Sequence, residues 1–276
     1  MKDMTPKYCT PGAVRGIVRR IVQISRQHWQ TCALPARGGV PAAALPQDEV
    51  HLWCADLDDA ELRWPDEEPL GQLERERLAT IADPLMQARF RRSRGLLRRI
   101  LAGYVRCPAE TLDFGTAAHG KPFLRQRSSH ELPLHFNLSH SRSAWLLAVA
   151  RSDPLGVDLE LPREVPNATR LAERVFTPEE RTTVAAASAV SAIQRDAVFL
   201  ACWTRKEAAM KALGDGFTLG ASTLQVGALA DDLLRSHPRH PSRAFRLAML
   251  ELPWPGQGAC AHAPLIRRIE CRWITG

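Results

Sequence analysis

The sequence is poor in the features that mark several protein classes. Its seven cysteines (Cys9, Cys32, Cys54, Cys107, Cys202, Cys260 and Cys271) are odd in number and scattered, with no CxxC pair. That pattern suits neither a disulfide framework nor a thiolate zinc site, and a reducing, cytoplasmic setting is expected. No apolar run approaches the length needed to span a bilayer, and the basic N-terminal stretch has no continuous apolar segment, so neither a membrane association nor a secretory signal is expected. Aromatic residues make up only 6% of the chain, which leaves little with which to stack nucleic-acid bases. Gly120-Lys121-Pro122 lacks the glycine spacing and the following Ser or Thr of a P-loop. His119, His130, His135 and His140 match no zinc-ligand spacing.

What is present is a chain of 276 residues, 45% hydrophobic and 24% charged, with a net charge of +7. It is long enough for one large domain or two modest ones. The positive charge attracts anions without naming them: nucleic acid, a phosphate-rich cofactor and an acidic protein all remain open. Residues 1–47 read as an extension, with a possible basic amphipathic helix over Ala13–Gln27 and a Pro- and Gly-containing linker over Ala33–Pro46. Val50–Leu57 reads as a strand and Leu70–Ile81 as a helix. The segment from Pro84 to Val105 reads as a long amphipathic helix. Six arginines on that helix (Arg89, Arg91, Arg92, Arg94, Arg98, Arg99) are expected to be mostly solvated. The runs FNLSHSRSAWLLAVAR and PLGVDLEL read as neighbouring strands joined by a turn at Ser152–Pro154. Thr177-Pro178-Glu179-Glu180 has the form of a capping box, and Ala197–Leu213 reads as a helix closed by Gly214 and Gly216. The helix-then-strands order recurs on both sides of about residue 152, which suggests an α+β fold in two halves.

Four constellations could carry chemistry. Asp158 and Glu160, at i and i+2 of a strand, project from one face while Val157 and Leu159 enter the core. Two carboxylates so close repel unless a cation lies between them, and Mg2+ suits such a pair. The ordinary alternative is the polar face of an amphipathic strand. Glu207 and Lys211, at i and i+4, share a helix face, either as a cation ligand and a phosphate contact or as a surface ion pair. Ser139 and His140 stand side by side on a strand. Their side chains point to opposite faces, so the pair is not a nucleophile with its base; His140 could donate to an anion or be structural. Lys121 is presented by a Gly–Pro turn, where it could meet a phosphate.

Each motif is weak alone, but their order is specific. Gly120-Lys121-Pro122, Phe136-Asn137-Leu138-Ser139-His140, Gly156-Val157-Asp158-Leu159-Glu160, Phe176-Thr177-Pro178-Glu179-Glu180 and Trp203-Thr204-Arg205-Lys206-Glu207-Ala208-Ala209-Met210-Lys211 follow one another. This order closely resembles the 4′-phosphopantetheinyl transferase superfamily, in its surfactin-type, two-lobed, monomeric branch. The resemblance implies two similar α+β lobes related by a pseudo-twofold axis, with the cofactor in the cleft between them: residues 48–152 and 153–276, the latter bearing the metal and catalytic residues. It implies Mg2+ on Asp158, Glu160 and Glu207, and coenzyme A contacted by Arg77, Lys121, Pro122, Asn137, Ser139, His140, Asp158 and Lys211. Catalytic roles fall to Glu207, Lys211 and Asp158, and the acceptor is an apo carrier protein. A basic residue often found upstream of the Gly-Lys-Pro turn is replaced here by Gly115 and Thr116, and Arg94 or Arg98 is expected to supply the charge.

Overall fold

The computed structural model describes residues 29–35, 45–117, 119–125, 132–214, 216, 220–227, 235–237 and 239–276. The helix expected over Ala13–Gln27 lies outside the described residues, and the expected linker is described only at its two ends.

Eleven strands and five α-helices are described. In chain order they are β1 (Trp29–Cys32), β2 (Glu49–Asp56), α1 (Gln72–Ala79), α2 (Pro84–Val105), β3 (Phe114–Thr116), β4 (Pro122–Leu124), β5 (His135–Ser141), β6 (Ala144–Ala150), β7 (Leu155–Glu160), α3 (Ala168–Val175), α4 (Pro178–Ser188), α5 (Ala192–Leu213), β8 (Arg235–His237), β9 (His240–Leu250), β10 (Gln257–His262) and β11 (Arg268–Ile274). The fold is mixed α/β. A five-stranded sheet runs β1-β11-β2-β6-β5 and a four-stranded one β7-β10-β9-β8, with β3 and β4 forming a small hairpin.

Alternation along the strands creates the layers. On β2, Trp53 and Ala55 turn toward Leu96, Leu97, Ile100 and Leu101 of α2. Val50, Leu52 and Cys54 turn the other way and meet Leu155, Val157 and Leu159 of the second sheet. The far face of that sheet packs on α3–α5 through residues such as Phe176, Phe199 and Phe245. The order is therefore helix, sheet, sheet, helices, with an apolar core at each interface.

Two expectations are corrected. The run FNLSHSRSAWLLAVAR is two antiparallel strands, β5 and β6, broken where Arg142 takes a left-handed φ of 55°. The next strand, β7, leaves for the second sheet instead of pairing beside β6. The arginine face of α2 is not mostly solvated. Arg98 and Arg99 are only 4% and 1% exposed, Arg98 paired with Glu74 and Arg99 with Glu68 at 2.6 Å. Arg89 also pairs, with Asp58. These carboxylates compensate the guanidiniums, which a local apolar pattern cannot reveal.

Two further strands link distant parts of the chain. β1, inside the stretch read as an extension, pairs parallel with β11, and β11 pairs parallel with β2. The C-terminal strand is thus built into the sheet founded by residues 49–56.

Candidate active site

The site forms where the edge strands of the two sheets meet. Three alternate residues of β5 reach across to β7 in step. Asn137 Oδ1 accepts from the Val157 amide at 2.8 Å. Ser139 Oγ donates to Asp158 Oδ1 at 2.7 Å. Ser141 Oγ donates to Glu160 Oε2 at 3.2 Å. Because strand side chains alternate, one face of β5 serves as a polar rail that aligns both β7 carboxylates. Arg163 also approaches Glu160, at 3.4 Å.

Gly156 brings the third wall in. A Cβ at this position would lie 2.2 Å from the Ala208 carbonyl oxygen and 2.4 Å from the Ala212 nitrogen. With no side chain there, α5 lies directly on β7. Ser191 caps the N-terminus of α5 by accepting from the Gln194 amide, and Gly214 ends it in a left-handed conformation (φ 89°), as its Gly-rich ending leads one to expect. Two residues of this long helix, Glu207 and Lys211, then face the β7 carboxylates.

Lys211 Nζ donates to Asp158 Oδ1 at 2.7 Å, to Ser139 Oγ at 3.3 Å and to the Val157 carbonyl at 3.2 Å. Burial raises the pKa of Asp158 while Lys211 and the Ser139 hydroxyl pull it back. Glu207 has no such support. Its Oε1 is buried with no hydrogen-bond partner. Burial first, then the negative charge of Asp158, push its pKa to about 7 against the opposing pull of Lys211, with Glu160 adding to the rise. A carboxylate with an unpartnered buried oxygen among other carboxylates is a site short of positive charge, and a hard divalent cation with oxygen ligands fits that donor set.

The rim of the site is formed by other residues. His140, exposed at the surface, has its pKa lowered by partial desolvation, then by the charges of Lys211 and Arg94. Arg94 is half-buried and makes no ion pair within 4 Å among the described residues, whereas Arg98 is occupied by Glu74 and by the carbonyls of Ala109 and Leu112. Of the two arginines considered for the missing charge, Arg94 is the one left available. Lys121 Nζ donates to the Leu155 carbonyl at 2.9 Å, and burial lowers its pKa to about 8. With Pro122, Phe123, His135, Asp153 and Arg243 it lines a cavity of about 430 Å3 at the start of β7.

The structure therefore gathers Ser139, Asp158, Glu160, Glu207 and Lys211, with Asn137 beneath them and His140 at the rim. Arg77 makes none of these contacts: it is exposed at the end of α1, and its guanidinium donates to Thr80 Oγ1 at 3.4 Å. Sequence reasoning missed Ser141, whose i+2 spacing from Ser139 was the available signal, and Gly156 as the close-approach residue.

Comparison with known proteins identifies the family. Residues 154–252 match the model of the 4′-phosphopantetheinyl transferase superfamily, a span that includes β7 and α5. The 4′-phosphopantetheinyl transferase HetI of Nostoc sp. is 37% identical over 177 residues, 64% of this chain and 73% of that protein. The chain belongs to the 4′-phosphopantetheinyl transferase superfamily. Other superfamily members align over shorter spans. The transferase psf-1 of Bacillus pumilus is 34% identical over 46% of this chain and 51% of its own length. The transferase AcpT of Escherichia coli K12 is 36% identical over 45% of this chain and 59% of its own. As a phosphopantetheinyl transferase, this protein is an enzyme of group transfer, and its polar seam between the two sheets is the candidate place for that chemistry. Among the described residues, no helix is long and apolar enough to cross a membrane.

Proposed function

We propose that the enzyme moves the 4′-phosphopantetheine arm of coenzyme A onto a serine of an apo carrier protein, with Mg2+, releasing 3′,5′-ADP. The observation that carries this reading is the meeting of Asp158, Glu207 and Lys211 at the seam of β7 and α5, with Glu207 Oε1 buried and without a hydrogen-bond partner. Residues 48–152 and 153–276 are read as two α+β lobes related by a pseudo-twofold axis, with 1–47 as an extension and β11 returning to the first lobe's sheet. The enzyme is read as a cytoplasmic monomer.

In this reading Asp158, Glu160 and Glu207 hold the metal, which when bound supplies a divalent charge against the pyrophosphate oxygens. Lys211, Ser139, His140 and Arg94 provide donors and positive charge for the cofactor's phosphates, and Lys121 with Pro122 lines the adjoining pocket. Asn137 supports the site by fixing the Val157 amide. The carrier serine oxygen bonds to the β-phosphorus of coenzyme A as the bond to the 3′,5′-ADP oxygen breaks. Glu207, directly or through a water, takes the serine proton, a role suited to a carboxylate whose pKa lies near neutrality. Lys211 neutralises charge on the departing phosphate. Such a transfer depends on positioning and charge more than on covalent chemistry. The net charge of +7 suits both an anionic cofactor and an acidic carrier, with steering that weakens in salt.

A nucleic-acid-binding role for α2 is weakened by the ion pairs that occupy Arg89, Arg98 and Arg99. The test of the proposed function is to incubate the protein with a panel of apo acyl, peptidyl and aryl carriers, coenzyme A and Mg2+, and weigh the carriers. A gain of one phosphopantetheine on at least one carrier is expected. No gain on any carrier would refute the reading.

A further inference from the structure

On the opposite face of the first sheet from the β7 seam, three side chains converge without a role in the transfer chemistry. Glu49 and His51 stand at i and i+2 on β2, and Glu270 lies opposite His51 on the parallel strand β11. One ligand atom from each lies within 4.8 Å of the others. His51 is 1% exposed, and its Nε2 is buried with no hydrogen-bond partner. That nitrogen points between the two carboxylates, 3.5 Å from Glu49 Oε2 and 3.5 Å from Glu270 Oε2. We propose that Glu49, His51 and Glu270 form a second metal site, for a transition ion of the zinc class, that ties β11 to β2.

The distances suit the ion. Zinc bonded to imidazole nitrogen and carboxylate oxygen at about 2.0–2.1 Å in a tetrahedron separates neighbouring ligand atoms by roughly 3.4 Å. Both His51–Glu separations already have nearly that value. The fourth position can be filled by water, because Glu49 and Glu270 remain partly accessible.

The surroundings also have the form of a metal site's outer shell. His51 Nδ1 lies 2.7 Å from the Tyr104 hydroxyl, which also accepts from Trp53 Nε1 at 3.0 Å. The Tyr104 oxygen can accept a hydrogen bond from Nδ1–H, which leaves the lone pair on Nε2 for the ion; metal-bound histidines are usually held this way at their second nitrogen. Arg268 takes the outer oxygens, Glu49 Oε1 at 3.4 Å and Glu270 Oε1 at 2.7 Å, leaving both Oε2 atoms turned toward His51. Arg272 pairs with Glu270 Oε2, which retains a further lone pair.

The arginines also decide which ion is favoured. Two guanidiniums offset the charge of two carboxylates, so a hard ion such as Mg2+, which depends on that charge, gains little. An ion with strong affinity for imidazole nitrogen gains more.

The test uses the full chain, freed of metal by chelation and titrated with Zn2+ in excess Mg2+ by calorimetry. Co2+ then serves as the visible-absorption probe. One equivalent of Zn2+ is expected to bind in wild type and in Asp158→Ala alike, and to raise the melting temperature. His51→Gln and Glu270→Gln are each expected to weaken binding at least 100-fold while leaving transferase turnover unchanged. Tyr104→Phe is expected to weaken binding about 10–100-fold, the usual effect of removing an outer-shell partner. Zn2+ binding that survives in folded Glu270→Gln, that disappears in Asp158→Ala, or that is absent from wild type would overturn the proposal. If His51→Gln does not fold, Glu270→Gln and Glu49→Gln decide it.

Discussion

The ammonium of Lys211 lies 2.7 Å from Asp158 Oδ1, where it serves as a counter-ion built into the cation-poor seam. In the proposed cycle the same lysine must turn to a phosphate as the metal takes Asp158. Lys211→Met should therefore bind Mn2+ more tightly than wild type in the absence of coenzyme A, because no internal cation competes. Its turnover should fall at least 100-fold. Mn2+ titration followed by electron paramagnetic resonance, beside a carrier-modification assay, checks both outcomes.

Gly156 sets how closely α5 approaches β7. Gly156→Ala places a methyl group against the Ala208 and Ala212 backbone, which cannot move without shifting the helix. Overpacking of this kind costs about 1–3 kcal/mol. Activity should fall by more than that instability explains at temperatures where the variant stays folded, because Glu207 and Lys211 move with α5. Urea unfolding and kcat measured on the same preparation separate the two effects.

Glu207 makes the metal-free protein sensitive to pH. Its folded pKa of about 7 lies above the ordinary 4.5, so between those values the folded state binds more protons than the unfolded chain. The contribution to stability is full below about pH 4.5 and is lost as pH rises through 7. Glu207→Gln should remove that slope: more stable than wild type at pH 8 without metal, similar at pH 4, and inactive. Mg2+ should raise the wild-type melting temperature more at pH 8 than at pH 5. Thermal melts across pH, with and without Mg2+, test both statements.

The buried pair of Lys206 and Glu180, 2.8 Å apart and each inaccessible to solvent, ties α5 to α4. Glu180 also accepts from the amides of Thr177, Val226 and Gly227, and Lys206 donates to the carbonyls of Ala221 and Leu224. Removing one partner of such a pair costs about 3–5 kcal/mol. Lys206→Met should lose that much stability, and the double variant with Glu180→Gln should lose less than the sum of the singles. A double-mutant cycle of unfolding free energies is the check.

How much of this was legible depended on range along the chain. The Thr177–Glu180 capping box and the Gly214 helix end follow local rules and are present as read. The i, i+2 carboxylates of β7 and the i, i+4 pair of α5 were likewise fixed by element periodicity. The misreadings concern partners far away. The ion pairs of Arg98 and Arg99 were hidden because nothing near them in sequence marks Glu74 or Glu68 as their counter-charges. Glu180 was legible as a cap but not as the partner of Lys206. The return of β11 to the first sheet, and with it the meeting of Glu270 and His51, depends on parallel pairing across more than 200 residues, for which the chain carries no local signal.

The most direct test of the central claim is a single-turnover assay of Asp158→Asn, measured as carrier mass gain with coenzyme A and Mg2+ in excess. Asparagine keeps the shape at Ser139 and Lys211 but removes the charge. The account predicts a folded protein with wild-type secondary structure and carrier modification reduced at least 1,000-fold. Modification at the wild-type rate would contradict it.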